Sequence, residues 1–127
     1  MPYEDPDDGG PGYCQLRVWR RAMDLAELAH AVATRLPPMA SSLRSQIQRA
    51  AVSVPSNIAE GSGRGSRGDF LRHVSIAFGS LRELETQLML AARFGYVQSH
   101  LVAPALDLAN EVGRMLSGLS RSIERGA

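Results

Sequence analysis

The sequence contains no lysine, so all fourteen of its basic residues are arginines. Its single cysteine, Cys14, excludes an internal disulfide, and its three histidines lie too far apart for a zinc site. No apolar run approaches the roughly 20 residues of a membrane span, and the acidic N-terminus is unlike a signal peptide. No segment alternates with the period of a strand. These absences predict a soluble, cytoplasmic, all-α protein without metal or cofactor.

The charges are unevenly distributed along the chain. Four of the thirteen acidic residues lie in the first eight positions, so we predict a flexible, acidic, Pro/Gly-rich tail over residues 1–14 and one domain over residues 15–127. From Tyr13 onward, fourteen basic residues face nine acidic ones, a net charge of +5. Arginine binds phosphates and carboxylates bidentately. A GC-rich genome also replaces lysine with arginine everywhere, and both explanations stay open.

Four segments carry apolar residues at alternating spacings of three and four, which predicts four helices joined by short connections. The pattern indicates an antiparallel up-and-down four-helix bundle. We expect Ser41 or Ser42 to cap the second helix and Gly95 to end the third. The four stripes are Val18 to Leu36, Leu43 to Ile58, Phe70 to Ala91 and Leu101 to Leu119.

The glycine-rich stretch from Gly61 to Gly68 formally matches a phosphate-binding loop. Such a loop follows a strand and opens a helix, whereas this one follows a helix, and the chain has no lysine for a Walker motif. We interpret the stretch as a helix–helix connection in which Gly61 and Gly63 stop the second helix. Ser66 and Asp69 then form the S-x-x-D start of the third.

A proline lies inside the second apolar stripe. Pro55 cannot donate to the carbonyl of Ala51, at a cost of about 3 kcal/mol in a helix interior. We therefore expect a kink or break there, with Ser53, Ser56 or Asn57 bonding the freed backbone.

The run SQIQRAAVSVPSNIAEGS, from Ser45 to Ser62, resembles the central motif of a known family. These are the four-helix-bundle proteins first noticed as products of intervening sequences in bacterial large-subunit ribosomal RNA genes. The similarity extends over about residues 16–123. It includes LRVWRRAMDL, IAFGSLRELETQL, FGY and GRMLSGL in the flanking helices.

The resemblance implies a four-helix bundle that assembles into a homopentameric ring. A related branch, the accessory variability proteins of diversity-generating retroelements, partners a reverse transcriptase and binds nucleic acid. RNA or DNA binding is the usual suggestion for the main family, and no catalytic residues carry over. We interpret the motif residues Pro55, Asn57, Glu60 and Gly61 as structural.

Candidate phosphate contacts are the arginines of the bundle ends, most of which lack an acidic partner three or four positions away. Helix C-termini favour cations regardless of function, so Arg35 and Arg93 also have a structural explanation. Binding through these residues would follow the nucleic-acid backbone, with weak sequence selectivity. The candidates are Arg35, Arg44, Arg49, Arg64, Arg67 and Arg93.

Two other functions are weighed against nucleic-acid binding. An enzyme would need a nucleophile beside a base, and the scattered histidines, acid pairs and Cys14 supply none, so we expect no catalysis. The alternative is a protein–protein adaptor or assembly scaffold, in which the arginines form salt bridges between subunits.

Overall fold

Four antiparallel helices build the described part of the chain, residues 12–126 of a computed structural model, and confirm the predicted all-α bundle. They are α1 (Arg17–Ala33), α2 (Ser41–Ser62), α3 (Arg67–Arg93) and α4 (Ser99–Glu124), with short 3-10 helices at Gly12–Gln15 and Pro38–Ala40. No residue of 12–126 lies in a strand. No helix in this range has both the length and the hydropathy of a membrane span.

The predicted apolar stripes form the core between the helices, because a repeat of three and four keeps one face of each helix inward. The most extensive contact is between α2 and α3, and α1 and α4 complete the bundle by packing against each other and against α2 and α3, respectively. The largest fully buried side chains are Leu25, Ile47, Val54, Ile58, Leu81, Leu84, Leu88, Val112 and Leu116.

The helix ends agree in part with the sequence interpretation. Ser66 caps α3 by accepting a hydrogen bond from the Asp69 amide at 3.1 Å, and Gly95 has the left-handed φ of 76° expected after α3. The serine cap expected for α2 is wrong: the cap position is Ala40, without a side-chain bond, because the 3-10 helix Pro38–Ala40 leads directly into α2.

Helix α2 continues through Pro55, so the break expected as one alternative is wrong, whereas the kink stays a prediction. The proline ring is buried, and α1 and α3 pack against the helix on either side, so tertiary packing offsets the missing hydrogen bond. The side-chain amide of Asn57 donates to the Ser53 carbonyl at 2.9 Å rather than to the carbonyl that Pro55 leaves free.

The predicted tail falls mostly on residues 1–11, which lie outside the described residues. Residues 12–14 lie in the 3-10 helix Gly12–Gln15, and the Tyr13 ring packs edge-on against Trp19, with 5.2 Å between ring centroids. The boundary between tail and domain stays a prediction.

Candidate functional site

Acidic residues are missing from a continuous part of the bundle that we call the acid-free region, residues 28–59 and 86–106. It comprises the C-terminal end of α1, almost all of α2, the last two turns of α3 and the first two turns of α4. In an antiparallel bundle the segments of α1, α3 and α4 meet at the end that carries the α1–α2 and α3–α4 connections, and the α2 segment runs from that end along most of the bundle. Four of the six candidate arginines lie here: Arg35, Arg44, Arg49 and Arg93.

Arg44 has a structural role within this region. Its half-buried guanidinium donates to the Ala33 carbonyl at 3.2 Å, to Leu36 at 2.8 Å and to Pro37 at 2.9 Å. The first of these carbonyls belongs to the last turn of α1, where a helix leaves its acceptors unsatisfied. Arg44 therefore closes α1 and fixes the connection to α2, which leaves only its two Nη1 donors for a ligand.

Arg35 and Arg93 are exposed at the same end of the bundle and make no hydrogen bond or ion pair with the described residues. Beside them, Phe94 is 59% exposed and Met39 is 81% exposed. The Phe94 ring is held edge-on by Tyr96, with the centroids 5.7 Å apart. This end thus presents unpaired cations next to an oriented, exposed aromatic ring.

Arg49 lies on the outer seam between α2 and α3, where the polar residues of the sequence motif form one stripe. Ser53 Oγ and Ser80 Oγ are hydrogen-bonded at 2.7 Å across the seam, and Asn57 donates to Ser53 Oγ at 3.0 Å. Arg49 is exposed and has no hydrogen bond or ion pair with residues 12–126. The α2 stripe, at helical spacings, consists of Gln46, Arg49, Ser53, Asn57 and Glu60.

Glu60 and Arg64 form an ion pair near the opposite end of the seam. Arg64 donates to Glu60 Oε2 at 2.6 Å, and this hydrogen bond lowers the pKa of the Glu60 carboxyl. The same oxygen lies 3.4 Å from His73 Nε2, while His73 Nδ1 donates to the Asp69 carbonyl at 2.8 Å. The positive charge of Arg64 is therefore already compensated by Glu60 at the surface.

Arg67 and Gly61 also lie at this opposite end. The guanidinium of Arg67 lies against Gly126 at the end of α4, with one nitrogen 2.7 Å from the point that a Cβ there would occupy. Gly61 is buried inside α2 rather than ending it, since α2 continues to Ser62 and Gly63 is the C-cap. The candidate arginines therefore divide between two ends and do not form one cluster.

The groove between α1 and α4 has the wrong charge for a phosphate. It measures about 600 Å³ and its only cationic lining residue is Arg21, which donates to Glu111 at 3.0 Å and to Asp24 at 2.9 Å. The hydrogen bond from Arg21 lowers the pKa of Glu111. Among the side chains that the structure describes, no group of three or more from histidine, cysteine, aspartate and glutamate is arranged to hold a metal ion.

Residues 14–118 match the family described as 23S rRNA-intervening sequence protein. The chain belongs to this family. A solved structure described as a protein of unknown function from the S23 ribosomal protein family of Bacteroides thetaiotaomicron VPI-5482 is similar, with a TM-score of 0.73 and 21% sequence identity. The match covers 81% of this chain and 97% of that one. At this identity the likeness supports the bundle fold alone. No curated protein matches the sequence.

Sequence reasoning alone does not single out three features of these surfaces. The exposed Phe94 was interpreted only as a helix end, and Gln87 and Ser80 were not singled out. Both of the latter lie one position beside the buried α3 stripe, so only the pairing of α2 with α3 shows that they face the motif residues. By contrast, the absence of acids over residues 28–59 and 86–106 can be recognised in the sequence alone.

Proposed function

We propose that this protein is a non-catalytic, ring-forming homo-oligomer that binds RNA or DNA through arginines of the acid-free region. The observation that carries the proposal is the separation of charge: Arg35, Arg49 and Arg93 are exposed and unpaired among residues 12–126, in the part of the fold that contains no acidic residue. The family name, which refers to 23S rRNA, supports a nucleic-acid context.

Exposed arginines without a partner in the protein are available to the phosphates of a polyanion. Each guanidinium that contacts a phosphate releases condensed counterions, so affinity comes from the backbone and falls with added salt. Phe94 adds a face on which a base can stack, a contact worth about 1–3 kcal/mol in single-stranded complexes. Binding of this kind is weakly selective for sequence.

The polar clusters of the bundle support a non-catalytic role, because each has a structural partner. The hydroxyls of Ser53 and Ser80 bond each other rather than a base. The buried His73 ring bonds a backbone carbonyl and lies beside a glutamate that an arginine already neutralises. None of these arrangements places a nucleophile beside a free general base.

Self-assembly is supported by apolar side chains on the outside of the helices. Val52 is 59% exposed on α2, and Met89 and Ile76 are 48% and 41% exposed on α3. A ring, of five subunits by family resemblance, would bury such residues and repeat the acid-free region once per subunit. Repetition on one strand raises avidity without any new contact.

A matched pair of double variants tests the proposal. Arg35→Gln/Arg93→Gln removes two cations from the acid-free region, and Arg72→Gln/Arg121→Gln removes two exposed, unpaired cations from the opposite end. Binding to single-stranded RNA and DNA is measured as a function of salt. We expect the first variant to reduce the salt slope by about 1.4 for each subunit that contacts the strand, since each lost phosphate contact removes about 0.7, and the second to leave the slope near the wild-type value.

Three outcomes contradict the proposal. Equal losses in both variants show that binding follows net charge rather than the acid-free region. If the protein is not retained on RNA or DNA at low salt, it does not bind nucleic acid, and the adaptor alternative is favoured. A light-scattering mass equal to the 13.7 kDa of one chain removes the ring.

A further inference from the structure

The groove between α1 and α4 continues into an apolar pocket toward the α1–α2 connection. Leu28 and Pro104 line both the groove and the pocket. The pocket measures about 140 Å³, and a cavity of roughly 150 Å³ in another protein binds a benzene ring. The pocket therefore has room for one leucine or phenylalanine side chain. Its apolar lining includes Leu28, Val32, Val97, Leu101, Pro104 and Ala105.

Two carboxylates of the groove have no cation to balance them. Four acidic side chains line the groove, and its one arginine, Arg21, already pairs with Asp24 and Glu111. The other two, Glu27 and Asp107, are exposed and form no hydrogen bond or ion pair with the described residues. Four carboxylates against one guanidinium give the lining a net charge of −3.

The shape of the groove suits a helix. Among the four pairs of neighbouring helices, α1 and α4 make the least extensive contact, so the groove between them stays open. The α1 residues that line the groove and the pocket run from Arg21 to Val32 within the helix, about 17 Å or three turns. Leu28, near the middle of this length, is 37% exposed. A further helix of about this length fills such a groove with its apolar face.

The charges decide between the possible occupants. A nucleic acid is repelled by the carboxylates, and so is the N-terminal tail, which has four acids in its first eight residues. The α2–α3 face of a second copy offers Arg49, but Glu83 lines the same cleft and is repelled as well. Arg93 and Phe94 of a second copy lie at the end of a helix and do not run the length of the groove. A cationic helix of a different protein remains.

We infer that the α1–α4 groove docks a cationic amphipathic helix of another protein, with an apolar side chain in the pocket and basic side chains on Glu27 and Asp107. Each carboxylate lies about one helical turn from a pocket residue, Glu27 from Ala31 and Asp107 from Pro104. The partner helix should therefore carry a lysine or arginine three or four positions from its apolar anchor. Opposite charges on the two surfaces favour this partner and speed its association. The inference does not require that the protein bind RNA or DNA.

The test uses a fluorescently labelled synthetic helix of about 14 residues built from leucine and lysine, which spans the groove at about 1.5 Å per residue. The comparison peptide has glutamate in place of every lysine. Binding to the full-length protein is measured by fluorescence anisotropy. We expect the lysine peptide to bind at low salt and to weaken as salt is added, whereas the glutamate peptide should not bind.

A matched pair of double variants tests the charges of the groove. Glu27→Gln/Asp107→Asn should weaken binding of the lysine peptide about tenfold, since each exposed ion pair accounts for about threefold. Glu83→Gln/Glu124→Gln also removes two exposed carboxylates, but neither lines the groove or the pocket. This second variant should bind the peptide as the wild type does.

A matched pair of single variants tests the apolar contact. Leu28→Ala removes three carbon atoms from a side chain that is 37% exposed before binding, which should weaken the lysine peptide about fourfold. Ile76→Ala makes a similar change at a side chain that is 41% exposed on α3, outside the groove and the pocket, and should leave the affinity unchanged. Both side chains are partly exposed, so both variants should fold.

The possible failures are distinguishable. Equal losses in the two double variants show attraction by net charge and overturn the inference. Equal binding of the two peptides, or no binding of either, also overturns it. A light-scattering mass that falls in Leu28→Ala or Glu27→Gln/Asp107→Asn shows that the groove is a contact between copies of this chain, which overturns a foreign partner. If the peptide binds as expected while RNA and DNA are not retained, only the proposed function is overturned.

Discussion

Adding one methyl group at Gly61 tests how closely α2 and α3 approach. A Cβ built there lies 2.6 Å from His73 Cβ and 3.1 Å from Phe70 Cδ1. Carbon atoms in good contact are about 3.5–4.0 Å apart, so α3 has to move away by about 1 Å. His73 Cβ is fixed to the α3 backbone, and a rotamer change cannot relieve the contact.

The size of the effect follows from two opposing contributions. Overpacking a well-filled interior costs about 1–3 kcal/mol, whereas replacing glycine by alanine inside a helix gains about 0.8–1.0 kcal/mol. For Gly61→Ala we expect a net loss of up to about 2 kcal/mol. At about 4 °C per kcal/mol for a domain of this size, the melting temperature falls by up to about 8 °C.

Gly79→Ala is the matched control. Gly79 is exposed in the middle of α3, and a Cβ there meets nothing within 4 Å. Only the helix-propensity gain remains, so this variant should be more stable than the wild type by about 0.5–1 kcal/mol. Both free energies are measured by urea unfolding. If Gly61→Ala is as stable as Gly79→Ala, the close packing of α2 on α3 at this point is wrong.

Further expectations concern the polar contacts. Arg44→Lys should lower the free energy of unfolding by about 2 kcal/mol, because an ammonium cannot reach the three carbonyls that the guanidinium contacts. A melting temperature equal to that of the wild type would refute this. Since Arg21 lowers the pKa of Glu111 from its usual 4.5, that carboxylate stabilises the fold above this pH and loses its contribution as the pH falls through the lowered value. Between about pH 5 and 3 the urea midpoint of Glu111→Gln should thus fall less than that of the wild type, and equal slopes would contradict the ion pair. Ser53→Ala and Ser80→Ala should each lower the free energy of unfolding by about 1 kcal/mol. In a double-mutant cycle the double variant should lose about 1 kcal/mol less than the sum of the two single variants, and additive losses would exclude the hydrogen bond.

The sequence predicts the helices well because their determinants are local or periodic. The apolar stripes, the Ser66 cap and the glycine after α3 each depend on residues within about one turn of each other. Gly61 and Pro55 were interpreted by the same local rules, and both lie inside a continuous helix. In each case the deciding contact comes from another helix: α3 approaches Gly61, and packing around Pro55 offsets its missing donor.

Arginine side chains also find partners on other helices and in the connections. A rule based on residues within one helical turn therefore does not predict which arginines are paired. A search for acids three or four positions away finds partners on the same helix and misses partners across the bundle, such as Glu111 for Arg21. It also misses the use of Arg44 by carbonyls in the preceding connection. Charges of one sign within about 10 Å act together on a polyanion. A long stretch without acids therefore matters more for binding than any single pair, and such a stretch can be recognised in the sequence. Residues 28–59 and 86–106 contain no acid, and the antiparallel order of the helices makes them neighbours at one end of the bundle and along α2. This shared absence is therefore a stronger reason to propose binding at that region than the lack of a partner at any single arginine.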